Sequence, residues 1–512
     1  MRRVKRMNMH STPLPLGTIA LDETSATPLY RQLYEALRSA ILEGRLHPGI
    51  RLPSSRSFAG ELRVGRNTVL AAYEQLTAEG YLEGRVGAGT VVAATLPDTL
   101  FQPERKLLHR EKPKSVAQAP RRLSQRGEAL SATRRSVATY MRGDGQPFQT
   151  GLPAIDEFPA LVWSRLLARH SRDTRQPVFG YETGQGEPAL REAIAAYVGA
   201  SRGVVCTADQ VIVTVGAQAA LDLTTRMLLD PGDPVWLEDP GYLGARGALS
   251  AAGAKIIPVP VDEEGIDVAE GIRREKQPKL VYVTPSHQFP LGATLSLPRR
   301  LALLDHARQS GSWILEDDYD SEYRYQGRPI PSLQGLDPRG GSVIYMGTFA
   351  KTLFPALKIG YLIVPESLVD AFATAIRISG HVPPPAMQAA LADFIGEGHF
   401  GGHIRRMRGR YAERRASLLH ALENELAPYL RAAPGEGGLQ LSAYLPDQAD
   451  DKALATAAAA GGIHVGALST YRLTSGRPGL YMGYASIPER AIARGTRKLA
   501  QILRDARSPT FG

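Results

Sequence analysis

SVIYMGTFAKTLFP, residues 342–355, is the stretch on which the fold of most of this chain turns. Its first half is apolar and rich in residues that favour strands, and it then runs into a loop of small side chains carrying one lysine, Lys351. A lysine withdrawn from water in such a loop loses charge readily, which leaves its amine free to form a Schiff base. A lone loop lysine is more often just solvated, so the neighbouring segments have to decide.

Similar runs recur outward from that stretch: VIVTV (211–215), PVWLE (234–238), KLVYVT (279–284), SWILED (312–317) and GYLIVP (360–365), alternating with helical segments. Strands apolar on both faces between helices predict an α/β domain whose mostly parallel sheet is covered on both sides. Ligands of such sheets gather beyond the carboxyl ends of the strands. There Glu316-Asp317-Asp318-Tyr319 offers a carboxylate and a phenol two residues apart, suited to a pyridine nitrogen and its ring hydroxyl. Gly216-Ala217-Gln218, between a strand and a helix, offers backbone amides for a phosphate.

Toward the N-terminus the pattern changes. Thr27-Pro28 predicts a capped helix start, and Leu29, Leu33, Leu37 and Ile41 then fall on one face. After Pro48-Gly49 the chain predicts a helix over 55–62, a turn over 63–65, a second helix over 66–79 stopped by Gly80, and a hairpin. This is a helix-turn-helix with a wing. Arg66, Asn67 and Thr68 open the second helix where base edges are read; Ser54, Ser55 and Arg56 open the first, where amides suit a backbone phosphate. Gly87 and Gly89 keep the wing tip slim enough for a minor groove. The bland alternative is a plain hairpin and solvated arginines.

Charge supports the first reading. Of 61 Lys/Arg and 51 Asp/Glu, residues 141–512 hold 39 of each, so the whole excess of +10 lies in the first 140 residues, as expected of an end that meets a polyanion. The organisation predicted is a basic arm (1–25), a winged helix-turn-helix (26–95), a basic linker rich in Pro, Ser and Arg (96–145, with room for a short helix near 103–109), and an effector domain (146–512) ending in a smaller α+β subdomain. A single cysteine, Cys206, fits a reducing cytoplasm and reads as a packed thiol, and neither a signal peptide, a membrane span nor a metal site is expected.

Residues 28–92 resemble the DNA-binding domain of the GntR family, with Gly65 where serine and Phe58 where leucine is usual; residues 148–505 resemble fold-type I aminotransferases. The fusion resembles the MocR subgroup of GntR regulators over more than four fifths of the chain. The resemblance implies pyridoxal 5'-phosphate held as a Schiff base on Lys351, Asp317 on the pyridine nitrogen, Tyr319 on the ring oxygen and Tyr242 stacked on the ring. It further implies Gly216, Ala217, Gln218 and Thr348 at the phosphate, Tyr181 entering from a partner subunit of a homodimer, double-stranded DNA as a partner, and a small-molecule effector.

Three positions depart from the aminotransferase pattern. Lys358 stands where an arginine usually holds phosphate, and a single ammonium cannot clamp it bidentately. In His287-Gln288-Phe289-Pro290 the asparagine that touches the ring oxygen is missing, leaving His287 or Gln288 for that bond. Tyr481 stands where an arginine grips a substrate carboxylate, with Arg246 and Arg472 as candidate substitutes. These departures favour a regulator that senses pyridoxal phosphate or a small amine over a working aminotransferase carrying a DNA-binding appendage.

Overall fold

The three-dimensional structure is a computed structural model, and it describes residues 21–22, 24–85, 89–94, 123–132, 147–172, 180, 184–327, 330–337 and 341–511. The chain divides into two units, 1–120 and 121–512.

In the first unit, α1 (Leu29–Leu42), α2 (Ser55–Leu62) and α3 (Arg66–Ala78) precede the antiparallel pair β1 (Leu82–Arg85) and β2 (Gly89–Val92). Leu33, Leu37 and Ile41 of α1 pack with Phe58 of α2 and Val69, Tyr73 and Leu76 of α3 into one core. The expected Thr27 cap is not formed: Pro28, in extended conformation, occupies the cap position and no side chain among the described residues caps α1. At α2 the cap is Ser54, whose hydroxyl accepts from the Ser57 amide at 3.2 Å.

The second unit is built on an eight-stranded sheet, ordered β3-β10-β9-β8-β7-β4-β5-β6. Its strands are β3 (Val211–Thr214), β4 (Pro234–Asp239), β5 (Lys255–Asp262), β6 (Gly265–Ile266), β7 (Leu280–Val283), β8 (Trp313–Asp318), β9 (Val343–Thr348) and β10 (Gly360–Ile363). β4, β5, β7, β8 and β9 pair in parallel, while β10 runs antiparallel to both β3 and β9. Consequently the carboxyl ends of β3 and β9 lie beside the amino end of β10, where Gly360 is in register with both Thr214 and Thr348. β5 was not anticipated from its sequence KIIPVPVD. It is tolerated because β6 borders only its last two residues, so an imino nitrogen on that side interrupts no ladder.

A smaller antiparallel sheet, β11 (Arg431–Ala432), β12 (Gln440–Tyr444), β13 (Gly466–Ala467) and β14 (Gly479–Gly483), ordered β11-β12-β14-β13, forms the C-terminal subdomain. Within the segment read as linker, Gln125–Ala132 is helical and packs on the helix Leu243–Ala252. The helix allowed for near 103–109 lies outside the described residues. No helix among the described residues is long and apolar enough to cross a membrane.

Candidate functional site

Six of the segments that the sequence singled out in the second unit meet at the same edge of the large sheet. Lys351 follows β9, Tyr242 follows β4, His287 follows β7, Asp317 closes β8, the helix Gly216–Leu228 follows β3, and Lys358 precedes β10.

Lys351 is the centre. Its Nζ donates to the carbonyl of Gly151 at 2.7 Å. Burial holds its pKa below the ordinary lysine value, opposed by Asp320 and Asp317. Asp317 is 5% exposed, and its Oδ2 accepts from the Tyr282 hydroxyl at 2.6 Å. Its other oxygen, Oδ1, is buried with no hydrogen-bond partner among the described residues. A buried, half-satisfied carboxylate is costly, and burial pushes the Asp317 carboxyl up to about 7. A protonated ring nitrogen is the kind of donor that Oδ1 lacks. Tyr282 was not foreseen, although a phenol inside a strand otherwise aliphatic is a signal that could have found it.

The ring-oxygen side is sorted by hydrogen bonds. Gln288 turns inward, donating to the carbonyl of Pro240 at 2.9 Å and of Phe289 at 2.6 Å. It is therefore spent on the backbone of its own loop and of the segment after β4. His287 remains available beside the Tyr319 hydroxyl, 3.1 Å from its Nδ1, and that hydroxyl also donates to the His287 carbonyl at 2.9 Å. Asp320, another residue missed from sequence, lies 3.1 Å from the same Nδ1. Phe289 makes edge-on contacts with Tyr242, Tyr319, Tyr471 and Tyr481 at centroid distances of 5.3–6.2 Å, which explains an aromatic in that position.

Tyr242 sits at the start of the helix Leu243–Ala252 with its ring against Gly244, where any Cβ would lie 2.4 Å from the ring. Gln218 Nε2 donates to the Gly244 carbonyl at 3.1 Å, joining the amino ends of two helices. Gly216, at φ +74°, opens one of them, and the backbone of Gly360 approaches Gly216 and Ala217 so closely that a Cβ at 360 would lie 3.0 Å from the Ala217 nitrogen. The Lys358 Cα stands beside Gly216, its backbone left-handed at φ 53° and its side chain exposed. Thr348 is buried at the end of β9 with its hydroxyl accepting from the Ala350 amide at 3.2 Å. The glycine-bounded start of the helix Gly216–Leu228, the Thr348 hydroxyl and the Lys358 backbone thus lie at the same end of the sheet, at β3, β9 and β10. Tyr181 lies outside the described residues.

The orphaned Asp317 oxygen gives the first prediction. An acid whose folded pKa lies above its unfolded value of 3.8 costs no stability below about pH 4 and its full penalty above about pH 7, roughly 4 kcal/mol at ~1.4 kcal/mol per unit. Asp317→Asn is expected to raise the thermal midpoint of the cofactor-free protein at pH 8, with the gain closing as pH falls toward 4, and to weaken pyridoxal phosphate binding at least about tenfold. Both are read by scanning fluorimetry with and without cofactor.

In the first unit, Arg66 and Asn67 are exposed at the start of α3 and Thr68 is half-buried. Gly65 provides no side-chain cap; its carbonyl accepts from the Thr68 amide at 3.0 Å instead. Arg66 Nε reaches Ser55 Oγ at 3.4 Å, so the openings of α2 and α3, with Ser54, Ser55 and the exposed Arg56, form one surface. In the hairpin, Gly89 takes φ +78° and lies against the Arg51 guanidinium; Gly87 is outside the described residues.

Residues 29–92 match the bacterial regulatory proteins of the gntR family, and residues 155–495 match aminotransferase class I and II. The chain is 44% identical over 482 residues to the "Probable rhizopine catabolism regulatory protein MocR" of Rhizobium meliloti, covering 94% of this chain and 95% of that protein. It is 33% identical to the HTH-type pyridoxine biosynthesis transcriptional regulator PdxR of Corynebacterium glutamicum, covering 92% and 95%. Among solved structures it is similar to LysN, the α-aminoadipate aminotransferase of Thermus thermophilus complexed with N-(5'-phosphopyridoxyl)-L-leucine, with a TM-score of 0.68, 28% identity, and coverage of 75% of this chain and 97% of that one.

Proposed function

The chain belongs to the MocR-type regulators of the GntR family, and from that premise we propose that its aminotransferase-like unit senses pyridoxal phosphate itself, or a small primary amine presented to it, and so alters operator binding. It is a pyridoxal phosphate-dependent, DNA-binding transcription regulator. The observation that carries the sensing site is Asp317 Oδ1, buried with no hydrogen-bond partner among the described residues, on a carboxylate that acts electrostatically on the Lys351 amine.

Lys351 holds the cofactor covalently in this reading, and Asp317 Oδ1 accepts from its ring nitrogen. His287 and Tyr319 face the ring oxygen, and Tyr242 covers the ring. The Gly216, Ala217 and Gln218 amides with Thr348 and Lys358 receive the phosphate; Lys358 neutralises charge without a guanidinium's fork. When bound, the cofactor supplies an electrophilic carbon for amines and an electron-withdrawing ring. The regulator acts in the cytoplasm as a homodimer, with Tyr181 completing the site from the partner subunit. Any ligand shifts DNA affinity only by as much as it distinguishes two states of the dimer.

The test is fluorescence anisotropy with duplex DNA from the region upstream of the protein's own gene, at fixed salt, with and without pyridoxal phosphate. A cofactor-dependent change in affinity is expected, and equal affinities overturn the reading. Arg66→Ala is expected to weaken specific binding by about 10- to 100-fold, the equivalent of ~1–3 kcal/mol for a lost base contact, while non-specific DNA is bound nearly as before.

A further inference from the structure

The wing hairpin of the first unit has a third stretch of chain beside it, and that stretch carries an arginine. Residues 49–52 run antiparallel to β2 on the side away from β1: the Gly49 amide donates to the Val92 carbonyl, the Val92 amide to the Ile50 carbonyl and the Leu52 amide to the Thr90 carbonyl, each at 2.9 Å. Arg51 thereby stands opposite Val91, which Glu83 of β1 faces from the other side.

Arg51 does not cross to that carboxylate. Its guanidinium lies along β2 against Gly89, where a Cβ would stand 3.2 Å from Nε and 3.3 Å from Nη2. Gly89 therefore does more than keep the wing slim: at φ +78° and without a side chain, it leaves the space in which the guanidinium is seated. Arg51 is exposed, and it makes no hydrogen bond or ion pair among the described residues. Its charge is held in one place and spent on nothing within the unit.

That place adjoins the surface already described at the openings of α2 and α3. Arg51 precedes Ser55 by four residues, and Ser55 Oγ meets Arg66 Nε at 3.4 Å. The connection between them is tied to α3, since the Tyr73 hydroxyl donates to the Pro53 carbonyl at 3.1 Å. Four residues of extended chain span at most roughly 14 Å, close to the width of about 12 Å of a major groove. A duplex read by Arg66 therefore brings its backbone within reach of Arg51, and a planar guanidinium can offer a phosphate two parallel N–H groups.

We propose that Arg51 is a further DNA contact of this regulator, a clamp on the phosphate backbone seated on the flank of the wing and separate from the base-reading end of α3. It rests on the DNA-binding reading above. Such a contact adds affinity for any duplex and carries no sequence information.

The test is fluorescence anisotropy of the full-length, cofactor-loaded protein over a series of salt concentrations, with two duplexes: the region upstream of its own gene, and a scrambled sequence of the same composition. Arg51→Met keeps an unbranched stem and removes the charge. It is expected to weaken both duplexes by the same factor, about three- to tenfold, and to lower the slope of log affinity against log salt by about 1. Arg51→Lys is expected to restore the slope. An unchanged slope in Arg51→Met, or a lowered one that Arg51→Lys does not restore, overturns the proposal. A loss confined to the upstream duplex places Arg51 on a base edge and overturns the backbone clamp. Wild-type protein that binds neither duplex overturns the DNA-binding reading and this proposal together.

Discussion

Lys351→Met is expected to abolish the retention of pyridoxal phosphate through gel filtration and to remove any cofactor dependence of DNA binding. The apparent affinity for the cofactor should fall on the order of a hundredfold or more, about 2.7 kcal/mol at ~1.4 kcal/mol per decade, because the phosphate cup and Asp317 survive while the covalent anchor does not. Folding is a separate question with a definite sign. Burial lowers the Lys351 pKa, so its charged form is a burden on the folded state that is absent at high pH and grows as pH falls below the unfolded value of 10.5. Methionine keeps the apolar stem and removes that burden. The thermal midpoint of the cofactor-free variant at pH 7.5 should therefore be no lower than that of the wild type, which separates loss of binding from loss of structure. A variant that still carries cofactor through gel filtration would sink the assignment of Lys351.

The second large effect is structural. Arg202, 7% exposed, donates through Nε to Asp318 Oδ2 at 2.7 Å, and Tyr345 donates to the same oxygen at 2.7 Å. Further donations to the Ile330 carbonyl at 3.2 Å and to Ser286 Oγ at 2.5 Å complete the guanidinium. Burial works against the charge, but Asp318, together with Tyr345 and Glu316, more than offsets it and keeps the arginine above its ordinary pKa. Arg202→Met leaves an uncompensated carboxylate next to Asp317 and is expected to cost about 3–5 kcal/mol, read as a lower urea midpoint for the second unit. Arg202→Met with Asp318→Asn should recover most of that loss. A double variant as unstable as the single one would show that the arginine's packing, not its charge, is what matters.

The parts of this fold legible in the sequence are those with one dominant cause. Six adjacent strands, β3 to β4 in sheet order, announce themselves because they are buried on both faces, and the α2–α3 pair because its turn and core spacing admit one arrangement. β5 stayed hidden because Pro258 and Pro260 argue against a strand until it is known which side faces β4. The helix Gln125–Ala132 has no apolar stripe strong enough to declare it, and only its packing on Leu243–Ala252 explains it. Cap choice at Pro28 depends on one backbone angle that residue identity does not dictate.

The candidate site divides the same way. The placement of Lys351, Asp317, Tyr319 and Tyr242 at the carboxyl ends of strands was readable because each stands at or just beyond the end of an apolar run. Gly151, Tyr282 and Asp320 were not, since their roles arise from pairings across the chain: Tyr282 meets Asp317 35 residues away, and Asp320 meets His287 33 residues away. Sequence offered His287 or Gln288 for the ring-oxygen bond and named His287 in the site; Gln288 is turned to backbone carbonyls close at hand.

The bond from Lys351 to the carbonyl of Gly151 joins residues 200 apart in the chain, and Tyr481, on the last strand, packs in one aromatic cluster with Phe289 and Tyr319. Such long-range closure bears on kinetics. Each such contact must meet its loop-closure entropy before it contributes, so the chamber is assembled late and refolding should be slow for the unit's size. Competence to take up the cofactor then reports that nearly the whole unit, from residue 151 to residue 481, has reached its native arrangement. A nascent or damaged copy of this regulator would be unable to receive its signal before it had finished folding.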